Sequence, residues 1–234
     1  MLQKRSFRQQ RSRSIRSLFI IFAIGLSCTT WAQEDIPQDT IEYHYTDKLQ
    51  WELTAALNAS GISGNEFRGI NKAGIFGSVS VLKSLNPDWT WRASIAFSNK
   101  GELKNPDPEN SDFTRYKLGM NYIEMPVMIR WNRLRRFGVE LGLSLGYLLN
   151  YTEEDFQGTI TIARPFEPIE FAGIVGFYVP LDEHFSAAIR FSNSIWRVRR
   201  HNQGSVFWPN FGQLNSVINF SISYRGAFSK EEDK

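Results

Sequence analysis

The residues best equipped for acid–base or metal chemistry are thinly spread in this chain. The three histidines, His44, His184 and His201, stand far apart and share no spacing such as H-E-x-x-H, which sets two imidazoles on one helix face. No Gly-x-Ser-x-Gly turn and no phosphate-cradling loop occurs. His201 and Ser205 share one stretch, but no third group orients the imidazole, so they form no catalytic pair. The single cysteine, Cys28, excludes a disulfide framework and a multi-cysteine metal site. These observations point to a non-enzymatic chain with no cofactor and no metal.

A different chemistry lies in the strand-like segments. Glu52, Arg92, Glu124, Glu140, Glu170, Arg190 and Arg225 all fall on the polar face of alternating runs, with Tyr122 and Tyr178 beside them. Four acids and three arginines on one enclosed face should pair, because an isolated buried charge is very costly. A structural network of ion pairs and hydrogen bonds is the expectation. A gated path for ions or small solutes is the alternative.

The segments that carry these charges repeat with period two, so each has one apolar and one polar face. In the first, Leu49, Trp51, Leu53, Ala55, Leu57 and Ala59 alternate with polar or small residues. The second sets Ile75, Gly77, Val79 and Val81 against Phe76, Ser78, Ser80 and Leu82. The third sets Trp89, Trp91, Ala93, Ile95 and Phe97 against Thr90 to Ser98. The fourth sets Ile123, Met125, Val127, Ile129 and Trp131 against Tyr122, Glu124, Pro126, Met128 and Arg130. Val139 to Leu149 make the fifth, against Glu140, Gly142, Ser144, Gly146, Leu148 and Asn150. Ile169–Val179, Phe185–Phe191 and Leu214–Tyr224 complete the set. Eight strands of about ten residues each have the length a tilted strand needs to cross a bilayer. Pro126 removes one ladder donor, which predicts a local bulge or weak pairing there.

The connections alternate in length. Lys83–Asp88, Asn132–Arg136 and Pro180–Glu183 are short, whereas Gly61–Ala73, Gly101–Met120, Tyr151–Pro165 and Trp196–Gln213 are long. Tight turns at one end and long loops at the other are the pattern of bacterial transmembrane barrels. Soluble barrels also alternate, but they put bulky apolar residues inside and charge outside. Here the polar face is rich in small residues (Gly142, Gly146, Ala172, Gly176, Ala188), which suits a narrow lumen. Leu, Ile, Phe and Trp occupy the other face, which suits lipid. Trp51, Trp89, Trp91, Trp131, Phe137 and Phe185 gather at the short-turn ends, and Tyr147 lies towards the long loops. Two aromatic girdles would mark the two membrane interfaces. The basic turn with Arg133, Arg135 and Arg136 faces water or anionic headgroups. Acids in 101–112 and the basic Arg197, Arg199 and Arg200 suggest that neighbouring long loops are tied together by charge.

The fold expectation is therefore all-β, an eight-stranded antiparallel transmembrane β-barrel with up-and-down order, preceded by a cleavable signal peptide. Of 234 residues, 27 are basic and 24 acidic, a net charge of +3. Six of the basic residues lie in 1–32 with no acid, so the remainder carries 21 against 24, a net −3. The basic character belongs to the leader, which argues against nucleic acid as a partner. A basic start, the apolar Leu18–Leu26 and the small residue Ala32 before Gln33 have the layout of a secretory signal. The expected divisions are a signal peptide over 1–32, a periplasmic tail over 33–48, the barrel over 49–228 and a C-terminal tail over 229–234. Both termini would then be periplasmic, in the outer membrane.

The stretches Leu118-Gly-Met-Asn-Tyr-Ile-Glu-Met-Pro-Val-Met-Ile-Arg-Trp131 and Phe137-Gly-Val-Glu-Leu-Gly-Leu-Ser-Leu-Gly-Tyr-Leu-Leu149 resemble the PorT-type outer-membrane β-barrel family of Bacteroidetes, with its "NYIE-P" and "G-GYLL" strands. Leu57-Asn58, Ser98-Asn99-Lys100-Gly101, Ile189-Arg190-Phe191 and Ser223-Tyr224-Arg225 agree with it, so the resemblance covers most of 49–228. It implies an eight-stranded barrel in a Gram-negative outer membrane, with outer-membrane lipid as its surroundings. The naming member's link to type IX secretion and gliding makes a protein partner in a secretion or envelope complex one alternative. A small porin and a lipid-modifying enzyme are the others. A structural, adhesion or accessory role is the expected function.

Overall fold

Alternation from Gln50 onward produces strands because β-branched and aromatic residues crowd one face while small polar residues fill the other. In a computed structural model, residues 48–64, 69–132, 137–156, 158–159, 165–200 and 212–228 are described. The leader with Cys28, the tail with His44, the arginines of 133–136, the pair His201 and Ser205, and the C-terminal residues 229–234 lie outside them.

Eight strands form the wall: β1 Gln50–Ser63, β2 Lys72–Asn86, β3 Trp89–Lys104, β4 Tyr116–Trp131, β5 Gly138–Asp155, β6 Ile169–Pro180, β7 Phe185–Ser194 and β8 Leu214–Ala227. Each pairs antiparallel with the next in sequence. β1 pairs with β8, with Glu52 opposite Arg225, and this closes the barrel. A two-residue strand, Gly158–Thr159, extends the tip of β5. Closure satisfies the backbone groups of every strand within the wall, which is the condition for crossing hydrocarbon.

The bulky residues point out. Leu57, Val79, Ile95, Leu143, Phe171 and Ile222 are all exposed on the outer face, while Glu52, Arg92, Glu140 and Tyr178 are buried within. On β5 the outward run from Phe137 to Tyr147 advances ten residues, about 34 Å along a strand. At a tilt of ~40° this is about 26 Å along the membrane normal, the height of an apolar band.

Four expectations need correction. The strands are 10–18 residues long rather than about ten. β3 runs on to Lys104 and β4 starts at Tyr116, which shortens the second long loop to residues 105–115. Past the hydrocarbon the outer face meets water, so the apolar alternation fades while the backbone ladder continues.

Pro126 is not the site of a register shift. The β3–β4 ladder passes from Ala93–Val127 to Ala96–Glu124 without a bridge between, which is the weak pairing expected of a missing donor. The register shift itself lies between β4 and β5 at Asn121/Tyr122, where Tyr122 faces Leu148 but Asn121 faces Asn150. That bulge reverses the facing of the end of β5. Asn150, expected inside, is exposed, and Glu153 turns inward instead.

Charge ties are also present in the loops. Lys104 holds Asp112 at 2.8 Å within its own loop, whereas Arg199 and Arg200 of the last loop reach Glu153 and Glu167, either side of the β5–β6 loop.

Candidate functional site

The lumen is built in layers from the turn end to the long-loop end. At the turn end, alternation on β1, β4, β5 and β7 aims Glu52, Arg130, Glu140 and Arg190 at one another. Arg130 Nη1 and Nη2 donate to both oxygens of Glu52 at 2.8 and 2.9 Å, and its Nε donates to Glu140 at 2.5 Å. Arg190 Nε donates to the other Glu140 oxygen at 2.5 Å and Nη1 to Ser221 at 2.7 Å. Arg92 sits 3.0 Å from Glu52 and donates to Thr54 at 3.1 Å. Arg225 is more distant, 4.0 Å from Glu52 at the rim. Tyr178 lies under the Arg130 guanidinium, 4.9 Å from its ring centroid, and donates its hydroxyl to Asn132. Paired, charge-assisted bonds of this kind are how enclosed charges are tolerated.

Higher up, Lys100 Nζ sits 2.6 Å from both Glu124 and Glu170 and 4.4 Å above the Tyr122 ring. Ser194 and Asn215 donate to Glu170 at 2.6 and 3.1 Å. The lower layer thus holds three arginines against two glutamates, besides the rim Arg225. The upper layer holds one lysine against two glutamates. Between them lies a cavity of ≈ 40 Å³ lined by Arg92, Arg190, Lys100, Asn58 and Asn219 among others. Phe76, Met128, Ile174 and Val217 share its lining with these polar groups, and it is large enough for a few waters.

The long-loop end is apolar. Ile62, Leu118, Met120, Tyr122 and Leu148 from the wall meet Phe166 and Val198, which drop in from the β5–β6 and β7–β8 loops. The backbone of Glu167 donates to Val198 at 2.7 Å and that of Leu148 to Pro168 at 2.8 Å. Tyr116 donates to Glu153 at 2.7 Å, and Arg199 donates to the same carboxylate at 3.3 Å. These contacts hold the loop residues over the lumen.

All nine residues expected in the lumen therefore face it, and eight of them join one of the two ionic layers closely; Arg225 touches the network only at its edge. Four further residues take part that sequence reasoning did not group with them. Arg130 was on the polar face by alternation, and its parity with Glu124 was the available signal. Lys100 lies in the part of β3 read as its end. Glu153 is hidden by the bulge, and Arg199 lies in a loop.

The expected girdle residues lie on the outside, most of them in a belt of rings. Trp89 stacks with Trp131 at 6.3 Å, Trp51 meets Tyr224 at 5.6 Å, and Phe185 meets Tyr224 at 5.1 Å. Phe137 packs edge-on against Phe177 at 6.4 Å, and Trp91 is part-exposed nearby. Tyr147 stands exposed towards the opposite end. His184 stacks on Tyr224 at 5.7 Å in the β6–β7 turn.

The two motif strands supply much of this interior. Tyr122 and Glu124 project inward, and a Cβ at Gly146 would stand 3.3 Å from the Tyr122 ring. At Gly176 a Cβ would come within 2.8 Å of the Arg190 stem. The inward glycines make room for large polar side chains across a narrow lumen.

Outside the membrane-spanning strands, Asp182 in the β6–β7 turn accepts the backbone N–H of Phe185 at 2.6 Å and of His184 at 2.7 Å. These bonds, that to Phe185 first, hold its carboxyl below the usual aspartate value.

A family model described as outer membrane protein beta-barrel domain matches residues 31–197. Among solved structures, the chain is similar to Ail, the attachment invasion locus protein of Yersinia pestis, with a TM-score of 0.46 at 11% identity, covering 77% of this chain and 100% of that one. It is similar to Neisserial surface protein A, NspA, with a TM-score of 0.46 at 11% identity over 75% of this chain and 96% of that one. For OprG of Pseudomonas aeruginosa the TM-score is 0.36 at 12% identity, over 79% and 98%. No curated protein matches the sequence.

Proposed function

The chain belongs to the family of outer membrane protein beta-barrel domains, and on that premise we propose that it is a non-catalytic structural or accessory barrel whose lumen is closed by its own side chains. The observation that carries this reading is the continuous run Glu52–Arg130–Glu140–Arg190 across the lumen, whose side chains are at most 7% exposed. A conducting pore needs charges that face water and can exchange ions. Here the charges are spent on one another. The apolar layer around Phe166 and Val198 adds a second closure at the other end. The short turns and both termini are assigned to the periplasm, the long loops to the cell exterior, and residues 1–32 to a signal removed on export.

Planar-bilayer recording of the purified full chain tests the reading. The expected result is no steady conductance for the wild type. A large, stable open channel overturns it and makes the chain a small porin.

The second reading, an accessory of a secretion complex, is favoured by the Asn121-Tyr-Ile-Glu-Met-Pro126 stretch and its resemblance to the PorT-type group. Tyr122 and Glu124 of that stretch are occupied inside the lumen, so a partner would have to meet the loops or the periplasmic turns. Co-purification from native membranes distinguishes the two: a secretion-complex protein retained in stoichiometric amount supports the accessory reading.

A further inference from the structure

The outer face of β3, β4 and β5 carries an ordered set of rows near the long-loop end. Phe97, Ile123 and Tyr147 are cross-strand partners and form the last apolar row. The next row is Asn99, Asn121 and Asn150, again directly opposite one another. Above it stand Gly101, Gly119 and Thr152, then Leu103, Lys117 and Glu154. Asn150 reaches this row only because the bulge in β5 turned it outward.

The amides form a chain with a fixed direction. Lys72 Nζ donates to Asn99 Oδ1 at 2.8 Å, Asn99 Nδ2 to Asn121 Oδ1 at 2.6 Å, and Asn121 Nδ2 to Asn150 Oδ1 at 2.7 Å. An ammonium can only donate, so Asn99 must offer it oxygen and pass its NH₂ onward, and each amide follows. Across the seam a second outward set continues the belt: Ser216 donates to Asn193 at 2.7 Å and lies 3.1 Å from Ser63. A hydrogen-bonded polar belt directly above an apolar row marks the level where hydrocarbon gives way to headgroups.

At this level the Lys72 stem crosses the bare backbone of the glycine row. A Cβ at Gly101 would lie 3.2 Å from Lys72 Cδ, and one at Gly119 would lie 4.0 Å from Cε. Gly101 also has φ +144°, which excludes most other residues. Lys117, two residues from Gly119, is about half exposed, within electrostatic reach of Lys72, and only 3.7 Å from its nearest carboxylate, Glu154. Lys72 has no carboxylate partner among the described residues. Two ammonium groups thus flank a floor without side chains, at headgroup height.

We propose that this face binds the phosphate monoester of an anionic lipid, seated over Gly119 between Lys72 and Lys117, with the Thr152 hydroxyl beside it. Two lysines match a monoester, which carries about −1.5 to −2, better than the single charge of a diester. The site depends on the barrel being in a membrane and not on the lumen being closed or on which end faces out.

Native mass spectrometry of the full chain, released from nanodiscs of phosphatidylcholine with a minor share of phosphatidic acid or phosphatidylglycerol, tests it. The wild type should retain phosphatidic acid in preference to phosphatidylglycerol. Lys72→Ala and Lys117→Ala should each weaken that retention about fivefold to tenfold, the effect of one lysine near an anionic surface. Lys83→Ala, at the turn end, should leave it unchanged. Equal retention of the two lipids overturns the assignment, and so does undiminished retention in both the Lys72 and Lys117 variants. If Lys72→Ala fails to fold, Lys117→Ala alone decides between these outcomes.

Discussion

Replacing Arg130 by methionine removes the one side chain that bridges both glutamates of the lower lumen layer. It takes away two bonds to Glu52 and one to Glu140, all between groups at most 2% exposed. Glu140 keeps Arg190 and Glu52 keeps Arg92, so neither carboxylate is wholly abandoned, yet three cations facing two acids become two. Breaking a buried pair costs about 3–5 kcal/mol, and Arg130→Met should fall in that range, towards its lower end if water enters from the cavity. Arg225→Ala is the internal comparison. Its nearest approach to Glu52 is 4.0 Å and its side chain is 20% exposed, so its loss should cost less than that of Arg130, whose bonds to the same carboxylate are 2.8 and 2.9 Å long. Adding Glu52→Gln to Arg130→Met should deepen the loss, because the buried Arg92 then loses the carboxylate 3.0 Å from it. Reversible urea unfolding in phospholipid vesicles, followed by tryptophan fluorescence, measures all four proteins. An Arg130→Met barrel within about 1 kcal/mol of wild type would show that these charges are solvated and that the lumen is wet, and so would an Arg225→Ala loss as large as the Arg130 one.

Leu143 lies on the outer face of β5 midway between Phe137 and Asn150, so Leu143→Arg should cost about 2–4 kcal/mol, the expense of a cation at the bilayer midplane. Ser144→Asn beside it, facing the lumen, should cost less; equal losses in vesicle unfolding would refute the inside–outside assignment. Because Asp182 has a lowered folded pKa, its contribution to stability is present above its unfolded value and lost as pH falls through the folded value. Asp182→Ala should therefore flatten the acid limb of an unfolding-versus-pH series below about pH 4, and should speed amide exchange at His184 and Phe185; an unchanged acid limb would refute this. N-terminal sequencing of the membrane form should begin at Gln33, and a start upstream of Leu18 would refute cleavage.

Much of this wall was legible because a closed sheet with lipid outside imposes one rule on every strand. Leu53, Leu143 and Ile222 alternate with Glu52, Ser144 and Ser221 without exception, and the facing of each followed from parity alone. Parity failed at one place, the Asn121/Tyr122 shift. A bulge adds a residue to one strand without changing composition, so nothing in Leu148-Leu-Asn150 announces it. The misplacement of Asn150 and the omission of Glu153 follow from that single residue. Arg130 was legible and unused. Lys100 was obscured because β3 continues beyond the hydrocarbon, where the outer face no longer needs apolar residues. Phe166 and Val198 could not be assigned to the lumen at all: loop residues have no period, and only the folded loops bring them over Leu118 and Met120.

The lumen charges are shared between strands that are distant along the chain. Glu52 is on β1 and Arg130 on β4; Glu140 is on β5 and Arg190 on β7. The seam itself is joined by Thr54 to Ser223 at 2.9 Å and by Asn219 to Asn58 at 2.9 Å. A sheet that entered the bilayer before β8 met β1 would carry guanidinium and carboxylate groups into hydrocarbon with their partners still elsewhere, besides two unpaired backbone edges. The cost rises with each strand added and is relieved only when the ring shuts. Entry and closure must therefore occur as one event. A chain lacking β8 should remain outside the bilayer rather than insert as a seven-stranded remnant.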